Sequence, residues 1–190
     1  MPVITVSGHS RKVGKTSIAE GLIAALPEYG WTALKVSSHR HYEDSAGDCV
    51  VIEETCRDGG SDTSRFLLAG ARRALWIQAG RIETAIPALR AIIETASYVV
   101  IEGNSVLDFI AADFSILVMN HGVAEFKKSA RGILQRADAL VLIRESAASP
   151  EWENFLEAAP ENARRFETNN PKIFPPALAE LLRSRFFIPS

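Results

Sequence analysis

Cysteine is scarce in this chain: Cys49 and Cys56 are the only two among 190 residues. Nothing else in the sequence points to an oxidising compartment, so reduced thiols are expected rather than a disulfide framework. Long apolar runs are missing as well. None approaches the roughly 20 residues of a membrane span, and the N-terminus lacks a charged leader followed by an apolar stretch and cleavage site. Blocks of one charge sign are also missing. The 21 Lys and Arg residues face 23 Asp and Glu residues for a net charge of -2, and no basic run exceeds the pairs Arg72-Arg73, Lys127-Lys128 and Arg164-Arg165. A nucleic-acid partner would leave a stronger footprint. These absences lead to the expectation of a cytoplasmic protein with no membrane and no nucleic acid among its partners.

What is present is a rhythm. Strand-like stretches recur at residues 3–7, 32–37, 73–78, 97–102, 114–119 and 139–144, and helical patterns fall at 15–26, 63–70, 82–95 and 124–136. Such alternation implies right-handed crossovers and a mostly parallel sheet with helices on both faces. YVVIE and SILVM are unbroken apolar runs, as central strands buried on both faces require. After Pro150 come a helix, a strand near 164–167, the turn Asn169-Asn170-Pro171 and a last helix at 176–185. One domain spanning residues 1–190 is expected, burying roughly 70% of the unfolded chain's surface. Within it, residues 38–62 read as a long insertion-like loop, which in a compact domain is usually functional.

The stretch VSGHSRKVGKTSIAEGL joins the first strand to the first helix. Gly14 lets backbone approach phosphate oxygens, Lys15 can reach β- and γ-phosphates, and the Thr16 hydroxyl can ligate Mg²⁺ at a helix N-terminus whose N–H groups face the anion. The candidate nucleotide-binding set is Ser10, Arg11, Lys12, Val13, Gly14, Lys15, Thr16 and Ser17. The full pattern GxxxxGKS/T asks for glycine where His9 stands, with Gly8 one residue early. Lys12 falls where a left-handed conformation is common, which lysine resists.

Glu102 closes the strand YVVIE and is the candidate metal ligand together with Thr16; it can hold Mg²⁺ or position an attacking water. A plain polar strand end is the alternative. Asp62, the second candidate catalytic acid, precedes a helical pattern, where a simple N-cap with Arg65 on the first turn explains it equally. His39, His41, Cys49 and Cys56 offer two nitrogens and two sulfurs, yet their spacings match no common zinc motif. Zinc therefore stands as a secondary reading, behind solvent-facing histidines and a partly buried cysteine pair. Trp31, Trp76 and Trp152 read as packing residues, and the apolar end Phe186-Phe187-Ile188-Pro189 as a segment that docks on the body or forms a dimer contact.

The GKT loop, Leu34-Lys35 followed by His39 and His41, the segment from Ser61-Asp62-Thr63-Ser64-Arg65 to Ala69-Gly70-Ala71, and VVIEGNS together resemble the MobB family of molybdopterin-guanine dinucleotide biosynthesis adapter proteins over about the first 120 residues. That resemblance implies a three-layer P-loop NTPase fold of the class that includes dethiobiotin synthetase and the nickel-insertion GTPases. It also implies GTP binding with Mg²⁺, weak hydrolysis and a molybdopterin guanylyltransferase as partner. Lys15 and Thr16 would carry phosphate and magnesium and Glu102 would be the strand-end acid, while Asp62 with His39 or His41 would face the nucleotide or the pterin. The guanine-reading NKxD motif would follow the strand at 139–142, where Ile143-Arg144-Glu145-Ser146 stands instead. A serine cannot reproduce aspartate's paired contact with guanine, so GTP and ATP both stay open. Two further functions remain: a small-molecule kinase or ATP-dependent ligase related to dethiobiotin synthetase, in which residues 38–62 close over a second substrate, and a degenerate P-loop scaffold that binds no nucleotide.

Overall fold

The computed structural model describes residues 1–37, 49–144 and 150–186. Eight strands form one sheet: β1 Val3–Gly8, β2 Thr32–Ser37, β3 Cys49–Glu53, β4 Arg73–Ala79, β5 Val99–Glu102, β6 Phe114–Asn120, β7 Ala139–Ile143 and β8 Arg164–Thr168. Their order across the sheet is β3-β4-β2-β5-β1-β6-β7-β8. Every pairing is parallel except β3 with β4. The expected α/β architecture with a mostly parallel central sheet is what the chain adopts.

Helices α1 Lys15–Ala25, α2 Asp62–Leu68 and α6 Pro176–Phe186 cover one face; α3 Ile82–Thr95, α4 Lys128–Leu134 and α5 Pro150–Glu157 cover the other. Sequence pattern decides this directly. β1, β5, β6 and β7 are buried at every position, so alternate residues feed opposite layers. Ile4, Val6, Ile116 and Val118 meet Ile18, Leu22 and Ile23 of α1. On the opposite face Val99 and Ile101 meet Ala85 and Leu89 of α3, and Leu117, Leu140 and Leu142 meet Ile133, Leu134 and Trp152.

Three sequence expectations need correction. The segment 38–62 is not loop throughout, because Cys49–Glu53 pairs antiparallel with β4, placing Cys49 opposite Ala79 and Glu53 opposite Leu75. As an edge strand it leaves Val50, Val51 and Ile52 exposed, so it lacks the buried pattern that marks a strand in sequence. Helix α4 is shorter than the expected 124–136. Ser61, rather than Asp62, caps α2: its hydroxyl accepts from the Ser64 N–H at 3.0 Å and Asp62 opens the first turn.

Trp31 and Trp152 are fully buried, and the Trp76 indole donates to Ser37 Oγ at 2.9 Å. Phe186 packs edge-on against Phe114, while residues 187–190 lie outside the described residues. Among the described residues no helix is long and apolar enough to cross a membrane.

Candidate functional site

The strand order places the carboxyl ends of β2, β5 and β1 side by side, the edge where open parallel sheets gather ligands. From the end of β1 the chain turns through residues 9–14 into α1. Gly14 sits at the N-cap with φ 97°, a left-handed conformation that favours glycine. Its carbonyl accepts the first helical bond from Ile18 at 2.9 Å. Gly8 has a different duty: a Cβ there would lie 2.6 Å from Val13 Cγ2 and 2.9 Å from the Lys15 chain. The close-packed glycine is therefore Gly8, one residue before the pattern's position.

His9, at the pattern's position, is buried. Its Nε2–H donates to the Val123 carbonyl at 3.0 Å, and its ring lies against Phe126 and Trp152 at 4.7 and 5.0 Å between centroids. Burial pushes its pKa below the ordinary 6.5, outweighing the two backbone hydrogen bonds that favour charge. Lys12 adopts φ 56°, the strained left-handed geometry its position implied, at a cost on the order of 1 kcal/mol.

Lys15 arches back over the loop, its ammonium donating to the Ser10 carbonyl at 3.1 Å. It forms no ion pair among the described residues. Burial, then the nearby charges of Lys35 and Lys127, hold its pKa below the usual lysine value against the pull of Glu102 and Asp62. The Ser10 hydroxyl is buried with no hydrogen-bond partner. A half-buried ammonium, an orphaned hydroxyl and free helix N–H groups meet at one turn, an arrangement chemically suited to an anion.

The remaining loop residues divide by role. Val13 is fully buried in the core beneath α1, so only its backbone can face a ligand. Arg11 and Lys12 are exposed. Thr16 lies on the first helical turn. Ser17 is drawn sideways, accepting from Arg65 Nη2 at 3.2 Å while Arg65 grips Glu20 through Nε and Nη2 at 2.8 and 2.6 Å.

Glu102 is 1% exposed. It stands in register opposite Lys35 of β2, so both side chains emerge from the same face of adjacent strands. The Lys35 ammonium contacts Glu102 Oε2 directly and reaches Asp62 Oδ2 at 2.8 Å. Burial works against that charge, yet Glu102 and Asp62 together outweigh it and raise the Lys35 pKa. Arg65 lies 3.6 Å from the other Asp62 oxygen. Charges thus alternate from Glu102 through Lys35, Asp62 and Arg65 to Glu20. Thr16, Glu102 and Asp62 supply hard oxygen donors of the kind Mg²⁺ selects, and Lys35 serves as counter-cation to both acids.

Sequence reasoning passed over Asn104. Its side-chain amide clamps Gly8, accepting from the N–H at 2.9 Å and donating to the carbonyl at 2.7 Å. With Ser7 Oγ donating to the Gly103 carbonyl at 3.1 Å, it ties the acid-bearing strand end to the loop. The polar turn Gly103-Asn104-Ser105 directly after Glu102 was the available signal. Lys127 and Lys128 were legible only as a basic pair; in space they form a wall of the cleft.

That cleft, about 700 Å³ in volume, is lined by Arg11, Lys12 and Lys15 of the loop, by Lys35 and Glu102 of the strand ends, and by Lys127 and Lys128 at the start of α4. His39, His41, Glu145 and Ser146 lie outside the described residues. Cys49 is half-buried on β3 and Cys56 exposed, both as free thiols, and among the described residues no group of three His, Cys, Asp or Glu side chains is placed to hold a metal.

No protein-family model and no curated protein matches this chain. Solved structures do resemble it. The hydrogenase maturation factor HypB from Archaeoglobus fulgidus aligns with a TM-score of 0.64 at 14% identity, over 98% of this chain and 91% of that one. HypB from Helicobacter pylori, solved in complex with nickel, gives 0.60 at 15% identity over 100% and 91%. LpxK from Aquifex aeolicus, solved in complex with ATP, gives 0.52 at 17% identity over 88% of this chain, which spans 53% of the LpxK chain. With the sheet order and the loop between β1 and α1, these likenesses show that the chain has the three-layer fold of the P-loop NTPases.

Proposed function

We propose that this chain binds a magnesium nucleoside triphosphate through the loop of residues 10–17, hydrolyses it slowly, and acts as an adapter beside a molybdopterin guanylyltransferase in molybdenum cofactor biosynthesis. One observation carries the binding reading: the half-buried Lys15 ammonium, without an ion-pair partner among the described residues, sits over a turn with Gly14 at φ 97° and an orphaned Ser10 hydroxyl. A polyphosphate would pair with the ammonium and the hydroxyl alike, and the turn at Gly14 leaves room for it. Lys15 would neutralise the β- and γ-oxygens, the first-turn N–H groups would hold them, and Thr16 with Glu102 would ligate the magnesium, whose chemistry is to draw charge off the phosphates. Commitment of Glu102 to Lys35 accords with slow turnover, since the acid is not free to orient water. The adapter role rests on the sequence segments that resemble those of MobB proteins.

Transfer of the terminal phosphate to a second substrate is the alternative that a specific feature favours, namely the cleft that extends past the loop to Lys127 and Lys128. The strained backbone of Lys12 at φ 56° argues against a scaffold without nucleotide, because strain of this sort persists where a site uses it. The exposed apolar edge β3 supports pairing of two copies, the continuous sheet supports a single domain, and the scarcity of cysteine supports a reducing, cytoplasmic setting.

The deciding experiment measures turnover of a purified molybdopterin guanylyltransferase with and without this chain, in the presence of GTP or ATP. The adapter reading predicts nucleotide-dependent acceleration that Lys15→Ala abolishes. Unchanged turnover, with tight nucleotide binding retained, would favour the transferase reading.

A further inference from the structure

The cleft has a wall that a triphosphate loop does not require. Lys35 is spent on Glu102 and Asp62, and Arg136, which also lines the cleft, is spent on Asp108 at 2.8 Å. Arg11, Lys12, Lys127 and Lys128 form no ion pair among the described residues. A chain with a net charge of -2 therefore concentrates uncompensated positive charge around one cavity. Like charges gathered around one cleft repel one another until an anion enters.

The cavity also lies on a defined side of the loop. Gly14 faces Ile143 and Pro171, within 2.9 and 3.1 Å of a Cβ built there. That flank carries the strand end where the base-reading segment of P-loop GTPases falls, and neither residue lines the cleft. The cleft is thus lined by neither of the residues that flank Gly14.

His9 accounts for how the wall is held. Its carbonyl accepts from the Lys127 N–H at 3.0 Å, its Nε2–H reaches Val123, and its ring packs on Phe126. The residue standing where the pattern asks for glycine pins the segment before α4 to the phosphate loop, which a glycine could do only through its backbone.

We infer that this cleft is a subsite for a second anion, a phosphate-bearing small molecule held by Lys127 and Lys128, with His9 positioning that pair against the loop. Adjacent lysines present compact, rotatable charges suited to a phosphate dianion. Its location beside the nucleotide's terminal phosphate rests on the proposed triphosphate reading; the anion subsite itself rests on the cleft.

The test titrates inorganic phosphate into the full chain saturated with Mg²⁺ and a non-hydrolysable triphosphate analogue, following backbone amides by NMR. The expected result is saturable shifts at Lys127 and Lys128, with phosphate affinity at least about ten-fold weaker in Lys127→Ala/Lys128→Ala, as loss of one or more charge-assisted hydrogen bonds implies. His9→Gly is expected to weaken phosphate more than it weakens the analogue; equal losses of both would remove its positioning role. Phosphate that shifts only loop amides, displaces the analogue, binds the double variant as well as the native chain, or is matched by acetate would overturn the subsite. If the analogue fails to bind while phosphate still shifts Lys127 and Lys128, the triphosphate reading falls and the subsite stands.

Discussion

Replacing Lys35 with methionine probes the charge network that organises the site. The substitution keeps the aliphatic stem and removes the cation between Glu102 and Asp62. Glu102, at 1% exposure, is then a buried carboxylate without its counter-charge. Removing one partner of a buried pair costs about 3–5 kcal/mol. The Lys35 side chain is itself 21% exposed and its second partner 36% exposed, which places the loss near the lower end, about 3 kcal/mol. For a chain of this size that lowers the melting temperature by about 6–12 °C. The companion Lys35→Met/Glu102→Gln removes the stranded charge as well and should recover most of the loss, leaving about 1 kcal/mol for a neutral hydrogen bond. Urea unfolding of both variants, with equal slopes, measures the difference. A single variant as stable as the native chain, or a double variant no better than the single, would refute the reasoning.

Other outcomes follow from the same geometry. Glu102→Gln should leave nucleotide binding in place but reduce magnesium-dependent hydrolysis by at least about ten-fold, read as phosphate release, since a neutral amide is a poorer magnesium ligand than the carboxylate; equal rates would remove its role. His9 carries a pKa below 6.5 in the folded chain, so below that value the unfolded chain takes up a proton that the folded chain refuses. Its contribution to stability is complete above about pH 6.5 and is lost as pH falls toward the folded value. Melting temperatures at pH 7.5 and 5.5 should therefore converge in His9→Leu relative to the native chain; an unchanged difference would count against the buried neutral imidazole.

The layered fold was legible because YVVIE and SILVM are apolar at consecutive positions, a pattern that only strands covered on both faces can sustain. The loop was legible because glycine, lysine and threonine at its end each have a separate physical duty. Edge strand β3 was not, since three exposed apolar residues in a polar segment carry no burial signal. The pairing of Lys35 with Glu102 depends on the register between β2 and β5, and the approach of Lys127 to Lys15 depends on β6 lying beside β1. Neither relation is written in local spacing. The one-residue shift from His9 to Gly8 as the close-packed position likewise emerges only when Val13 and Lys15 fold back over the strand end.

The central claim is that the Lys15 ammonium and the first turn of α1 hold a polyphosphate. Calorimetric titration of the native chain and Lys15→Ala with GTP and with ATP, each with Mg²⁺, tests it most directly. The account predicts saturable binding of at least one nucleotide by the native chain and a loss of about a hundred-fold or more in the variant, as two charge-assisted hydrogen bonds would imply, with the melting temperature of the free protein preserved. Equal affinity in both proteins, or no binding of either nucleotide by the native chain, would contradict it.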